Sequence, residues 1–364
     1  MTRHLLKPCS GEMKQVFPKE ALEAVLAAAQ RPPSNEDSRT DRSSSLGGLR
    51  RSFVTGTRPQ IAAALVVCLI AAGVDLGAGP TGVTTGAATT GAVERHHYVI
   101  AARIRPLLVF WIGRSGVGDA IVTRRLSPGE ATYALLIGSD PDRAPRRINR
   151  WGYIKEEIRG AEARLIGLMT ESDEDSIEEA EANIKKQAHG DHPFKIIRAT
   201  VDGEQAQSLV TSIGAPYDYN FRQLQTVLDL ALRESPQGKP RTIRLPPGTR
   251  PGFLAALADA MHTPTGPIAY VYHGRIYELR RTDARTIPDL RIAGASYGRA
   301  IAADFTITST HDGEQTRFSM TYGTEGRFAE VPLRVSYQPR WWMEVNLTLD
   351  DAVDWPALTD GVDR

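Results

Sequence analysis

Strict alternation of apolar and polar side chains dominates the C-terminal third of the chain. Ile301, Ala303, Phe305 and Ile307 alternate with polar neighbours, and Phe318, Met320 and Tyr322 do so after an Asp312-Gly313 turn. Val331, Leu333, Val335 and Tyr337 continue the pattern, and Trp341, Met343, Val345 and Leu347 close it. A period of two sends one set of side chains to a buried face and the other to water. The short polar breaks between runs make neighbouring strands antiparallel. Residues 268–272 and 275–279 flank His273-Gly274, a two-residue hairpin loop. Upstream, apolar runs predict strands at 97–106, 107–112, 120–125, 132–137, 153–158 and 164–169.

The period changes to helical in the middle of the chain. Ser172 or Asp173 caps a first predicted helix, acids crowd its opening turns to Glu181, Lys185 and Lys186 come late and Gly190 ends it. Acids first and bases last complement the helix dipole, so the acidic run is explained as a solvated face. A second helix, 220–234, sets Phe221, Leu224, Leu228 and Ala231 in a core-facing stripe with Val227 and Leu232 in support. A third, 251–262, repeats this with Phe253, Leu257 and Met261, with Pro251 in the first turn and Thr249 as cap. The expected fold is α+β, mainly antiparallel β-sheet with about three helices. Residues 93–364 are read as one globular domain, with a subdivision at the Pro-rich stretch 236–247 as the alternative. No internal repeat is visible.

The first 92 residues read differently. Leu49-Arg50-Arg51-Ser52-Phe53-Val54 precedes, after a polar stretch, a moderately apolar segment of 13 residues, 61–73, which Asp75 interrupts soon after. Paired arginines, one variable residue and two apolar ones ahead of a weakly hydrophobic core resemble a twin-arginine signal peptide, with Arg50, Arg51 and Phe53 as the targeting residues. Thirteen residues suit a signal core and fall short of the roughly 20 that a spanning helix needs. The small, flexible residues 76–92 suit a processing region, with a small-x-small site ending at Ala92 and Ala88 with Gly86 as the alternative. The resemblance implies an extracytoplasmic location, periplasmic or secreted. The alternative is an uncleaved anchor in the inner membrane formed by residues 61–78. Residues 1–48 are long for such a leader, and the expected translational start lies nearer the arginine pair.

Composition narrows the function classes. The 364 residues are 41% hydrophobic and 24% charged, with a formal net charge of +1. Beyond residue 92 the chain holds 34 Lys and Arg against 36 Asp and Glu, which argues against nucleic acid as a partner. Both cysteines, Cys9 and Cys68, precede residue 93. Disulfides, thiolate zinc sites, iron–sulfur clusters and a cysteine nucleophile are thereby excluded from the exported domain. No cofactor motif is present, and membrane contact is expected only through the export signal.

Candidate chemistry is sparse. Gly113-Arg-Ser-Gly-Val-Gly-Asp119 follows an apolar strand but has neither a P-loop ending nor dinucleotide spacing, and reads as a hairpin loop. His189, Asp191 and His192 could begin a zinc or nickel site if the fold brought in His262, His273 or His311, although surface-turn histidines are the commoner outcome. Asp140, Asp142, Glu156 and Glu157 could include an acid/base pair, but no Gly-x-Ser-x-Gly elbow or His-Glu-x-x-His helix accompanies them. Arginine and tryptophan cluster twice: Arg146, Arg147, Arg150 and Trp151, then Arg340, Trp341 and Trp342. Such residues make interaction hot spots, against the plainer reading that the indoles fill the core. Two adjacent tryptophans cannot both face inward on one regular strand. The sequence therefore leaves two readings: an extracytoplasmic binding or interaction module for an envelope protein or small ligand, or a secreted hydrolase whose acids or histidines converge only on folding.

Overall fold

The computed structural model describes residues 93–105, 111–170, 182, 191–233, 238–262 and 266–350. Fourteen strands form one antiparallel sheet. Its N-terminal half is a meander: β1 (Val93–Ile104), β2 (Ile112–Ser127), β3 (Glu130–Ser139), β4 (Trp151–Arg159), β5 (Glu162–Thr170), β6 (Asp191–Asp202), β7 (Gln205–Pro216) and β8 (Arg241–Arg244). The C-terminal half contributes β9 (Ile268–Tyr272), β10 (Arg275–Ile287), β13 (Ala300–Ser309), β14 (Gln315–Gly323), β15 (Pro332–Arg340) and β16 (Met343–Leu349). The short pair β11 (Arg291–Ile292) and β12 (Ala295–Ser296) forms a separate ribbon. The halves join where β1 pairs with β16, so the first and last described strands lie side by side in mid-sheet.

Strands this long and numerous curl, because each pairing adds twist. The β9–β10 hairpin comes to rest over the inner face of β5–β8. A Cβ on Gly167 of β5 would sit 2.9 Å from the Tyr272 hydroxyl, and one on Gly274 would sit 2.6 Å from Ser208 Oγ of β7. Val271 and Ile276 of the hairpin pack with Ala163, Leu165, Val201, Ala206 and Leu245. The predicted His273-Gly274 turn is present, with both residues at positive φ (54° and 64°), the pairing that a type I′ turn requires.

Among the described residues there are two α-helices rather than about three; of the helix expected at 172–190 only Ala182 is among them, in helical conformation, and residues 1–92 lie outside them. α1 (Leu224–Arg233), entered through a one-turn 3₁₀ segment at Phe221–Gln223, covers the outer face of β3–β7. Phe221, Leu224 and Ala231 of the expected stripe are buried and so is the supporting Val227, whereas Leu228 is half-buried and Leu232 is 71% exposed. The Asn220 side chain accepts from the Arg222 amide while Gln223 accepts from the Asn220 amide, closing a capping box. α2 (Phe253–His262) fills the interior of the curled sheet. Its stripe is wider than the sequence suggests: Phe253, Leu254, Ala256 and Leu257 are all 0% exposed. Each large apolar side chain there contributes about 1.5–3 kcal/mol by leaving water.

The helix N-terminus corrects a second expectation. Thr249 donates to the Pro246 carbonyl instead of capping α2. The cap is Glu156 on β4, fully buried, whose carboxylate accepts from the amides of Leu254 (2.8 Å) and Ala255 (3.1 Å). Only a glycine at 252 leaves room for it, since a Cβ there would collide with the carboxyl carbon. The opposite end is closed by Arg281 and the Tyr322 hydroxyl, both donating to the Met261 carbonyl. Acceptor oxygens at one end and donors, one of them a cation, at the other satisfy the amides and carbonyls that the helix leaves open.

Candidate functional site

One end of the sheet gathers most of the residues that the sequence marks for interaction. There β1 finishes at Ile104, flanked by Ile112 of β2 and Met343 of β16. The turn between β15 and β16 is Trp341-Trp342. Trp342 is 4% exposed and packs on Ile104, with Ile148 and Met343 beside it, in a small cluster apart from the main core. The Trp342 carbonyl accepts from the Arg105 amide at 2.8 Å. Ile148 brings the loop between β3 and β4 to the same place, so the two arginine–tryptophan segments, almost 200 residues apart in the chain, share one end of the molecule. Trp341 is 50% exposed there and Ile112 46%. The Arg103 guanidinium lies over the Trp111 ring at 5.6 Å and pairs with Glu344 at 3.2 Å.

The β3–β4 loop is held by a partly buried ionic chain. Asp119 on β2 meets His97 of β1 at 3.2 Å and pairs with Arg143. Arg143 Nε reaches Asp140 at 2.8 Å, and Arg222, just ahead of α1, reaches the same carboxylate at 2.8 Å. Asp350 lies 3.8 Å from the other His97 nitrogen. Burial opposes ionisation of both aspartates. For Asp119 the bonds to His97 and Arg143 outweigh it, and for Asp140 those to Arg143, Arg222 and the Asp142 amide, so both carboxyls sit below the ordinary range. Asn149 adds two bonds, to the carbonyls of Tyr217 and Tyr219 at 2.9 Å each. The chain is a clamp, its carboxylates already engaged by His97, Arg143 and Arg222.

The glycine-rich segment is not a hairpin loop. Residues 113–119 run within β2, where the register against β1 shifts between Ile100 and Ala102 and Gly116 takes φ 69°. This bulge accommodates the extra residues inside a continuous strand. Gly118 touches β3 so closely that a Cβ would strike the Gly138 carbonyl.

The remaining candidates scatter. Trp151 is core, 3% exposed, with its indole N–H donating to the Tyr219 carbonyl at 3.2 Å. Arg147 lies on the surface with 80% side-chain exposure, 3.8 Å from Asp142, and half-buried Arg150 donates to the Asn149 carbonyl. His189 lies outside the described residues, and Asp191 and His192 are placed only as backbone at the start of β6. His262 pairs with Glu330 at 3.0 Å, His273 sits in the β9–β10 turn, and no group of three or more His, Cys, Asp or Glu side chains among the described residues could hold a metal ion. Glu157 pairs with Lys155 at 2.9 Å. Arg50, Arg51 and Phe53 lie outside the described residues, and so do 107–110 of the strand expected at 107–112.

Sequence reading missed Arg103, Trp111 and Ile112 at this end, although the arginine–aromatic pairing that marked the other two segments is present there too. The clamp through His97 and Asp119 left no local signal, since its members are 22 residues apart.

No protein-family model and no curated protein sequence matches the chain. A solved structure, of a candidate lipoprotein from Parabacteroides distasonis, aligns over 72% of this chain and 94% of its own at 9% identity with a TM-score of 0.21. At that score the likeness carries no argument about fold or role. Among the described residues no helix is long and apolar enough to cross a membrane.

Proposed function

We propose that this protein is an extracytoplasmic binding or interaction module, and that its working surface is the end of the sheet formed by Trp111, Ile112, Trp341, Arg103 and Arg147. The observation that carries the reading is the meeting of separate arginine–aromatic segments on one rim, over a packed base of Ile104, Ile148 and Trp342. A rigid base beneath exposed indole and guanidinium groups is the arrangement from which binding surfaces draw most of their energy. The location outside the cytoplasmic membrane rests on the twin-arginine-like segment around Arg50 and Arg51. The hydrolase alternative draws less support, because Asp140, Glu156 and Glu157 are engaged by arginines, by helix amides and by a lysine.

The test is affinity capture from envelope fractions with the full-length chain. The wild type and a Leu232→Ala control on α1 should retain the same bound component, and Trp341→Ala should lose it. Equal retention by all three would remove the rim from the account. Trp342, being buried, is unsuited to this test, because its truncation would disturb the base.

A further inference from the structure

We infer that the rim docks on an anionic phospholipid surface, a conclusion that rests on the rim being the binding surface. Among the described residues its exposed apolar groups sit at strand ends: Ile112 at 46% exposure, Trp341 at 50%, and Trp111, half-buried under Arg103. Among the described residues they are set singly among arginines, unlike the contiguous, desolvated centre that a protein interface builds. Arg103, Arg114 and Arg147 are the exposed guanidinium groups on the strands and loop of this end among the described residues, with Glu344 beside Arg103 and Asp142 beside Arg147. Arg114, opposite Ala102 on β1, is exposed and has no carboxylate partner among the described residues. Guanidinium groups therefore stand where the indoles project.

Each component has a place at a bilayer surface. Tryptophan settles at the headgroup level, where an amphipathic ring is favoured over both water and hydrocarbon. Isoleucine enters the acyl boundary, and guanidinium groups pair with lipid phosphate, often two-pronged. Neither term suffices alone; a few apolar side chains with a few cations together give reversible attachment. The base of Trp342, Ile104 and Ile148 and the clamp behind Arg143 hold the rim, so little ordering cost falls on docking. Membrane contact would then extend beyond the export segment, to which the sequence reading confined it.

The five tryptophans, at 111, 151, 341, 342 and 355, all lie outside residues 1–92, so indole fluorescence ignores insertion of the leader. The full-length chain is titrated with vesicles of phosphatidylcholine and brominated phosphatidylglycerol, and with vesicles of brominated phosphatidylcholine alone. The expected result is quenching on the anionic vesicles that weakens with added salt, and little on the neutral ones. Trp341→Phe, which keeps an aromatic ring, should remove a large share of the quenching. Arg114→Glu with Arg147→Glu should raise the lipid concentration for half-maximal quenching at least about tenfold, given that each cation near such a surface is worth about fivefold. All three positions are exposed, and unchanged melting curves confirm that the variants fold. Equal quenching on neutral vesicles, indifference to the charge reversals, or sedimentation with vesicles without quenching would overturn the inference. If envelope capture still depends on Trp341 while lipid quenching is absent, the partner is a protein and only the lipid assignment falls. If both fail, the binding reading falls with it.

Discussion

Replacing Glu156 by glutamine gives the sharpest test of the interior. This carboxyl is fully buried beneath the first turn of α2. Burial pushes its pKa up to about 7, with the amides of Leu254, Ala255 and Phe253 pulling the other way. Because the folded pKa stands above the unfolded one near 4.5, the protonated form favours the fold. That contribution is complete below the unfolded value and is lost as pH rises through about 7. At about 1.4 kcal/mol per unit, the loss across this window is about 3 kcal/mol. Glutamine has nearly the same shape, keeps one acceptor for the helix amides and cannot ionise. At pH 5 the variant should therefore lie within about 1 kcal/mol of the wild type, with one weakened amide bond as the difference. At pH 8.5 the wild type should have lost about 2–3 kcal/mol that the variant has not. Urea unfolding midpoints at the two pH values measure this directly, and other titrating groups cancel in the comparison. Parallel pH profiles for the two proteins would refute the assignment of Glu156 as a buried, partly protonated cap.

Other outcomes follow from the same contacts. Gly252→Ala should destabilise by about 1–3 kcal/mol in thermal unfolding, since its Cβ would invade the Glu156 carboxyl. Gly118→Ala should cost at least as much, because the obstruction is the backbone of β3 and cannot rotate away. Asp140→Asn should cost about 1 kcal/mol, a modest value because Arg143 and Arg222 are 39% and 35% exposed, and should speed hydrogen exchange across 141–150. The stability that Asp119 and Asp140 provide is present above the ordinary carboxylate range and disappears as pH falls through their lowered values, so that mutant's deficit should shrink in acid. Trp342→Ala should cost about 3–5 kcal/mol and Trp341→Ala less than about 0.5 kcal/mol, read as melting temperatures.

Much of the sheet was readable because alternation is a local signal: every strand from β13 to β16 coincides with a run of apolar residues at even spacing. The two helices after residue 216 were legible from their stripes for the same reason. What escaped was non-local. A carboxylate 98 residues away caps α2 in place of the adjacent threonine, and no pattern near either residue announces it. The glycines at 113–118 signalled a break, but whether the break is a loop or a bulge depends on the partner strand. The pair Trp341-Trp342 required one indole to face outward, and the turn settles which one. That this turn lies beside the β3–β4 loop depends on β1 pairing with β16, a closure between strands nearly 250 residues apart.

The claim on which the function depends is that the rim at Trp341 meets a component of the envelope. A photoreactive phenylalanine analogue placed at position 341 of the full-length protein in living cells, and in parallel at exposed position 232, addresses it directly. Irradiation should yield an adduct with an envelope component from 341 and none from 232. Matching adducts from both positions, or adducts confined to cytosolic material, would contradict the account.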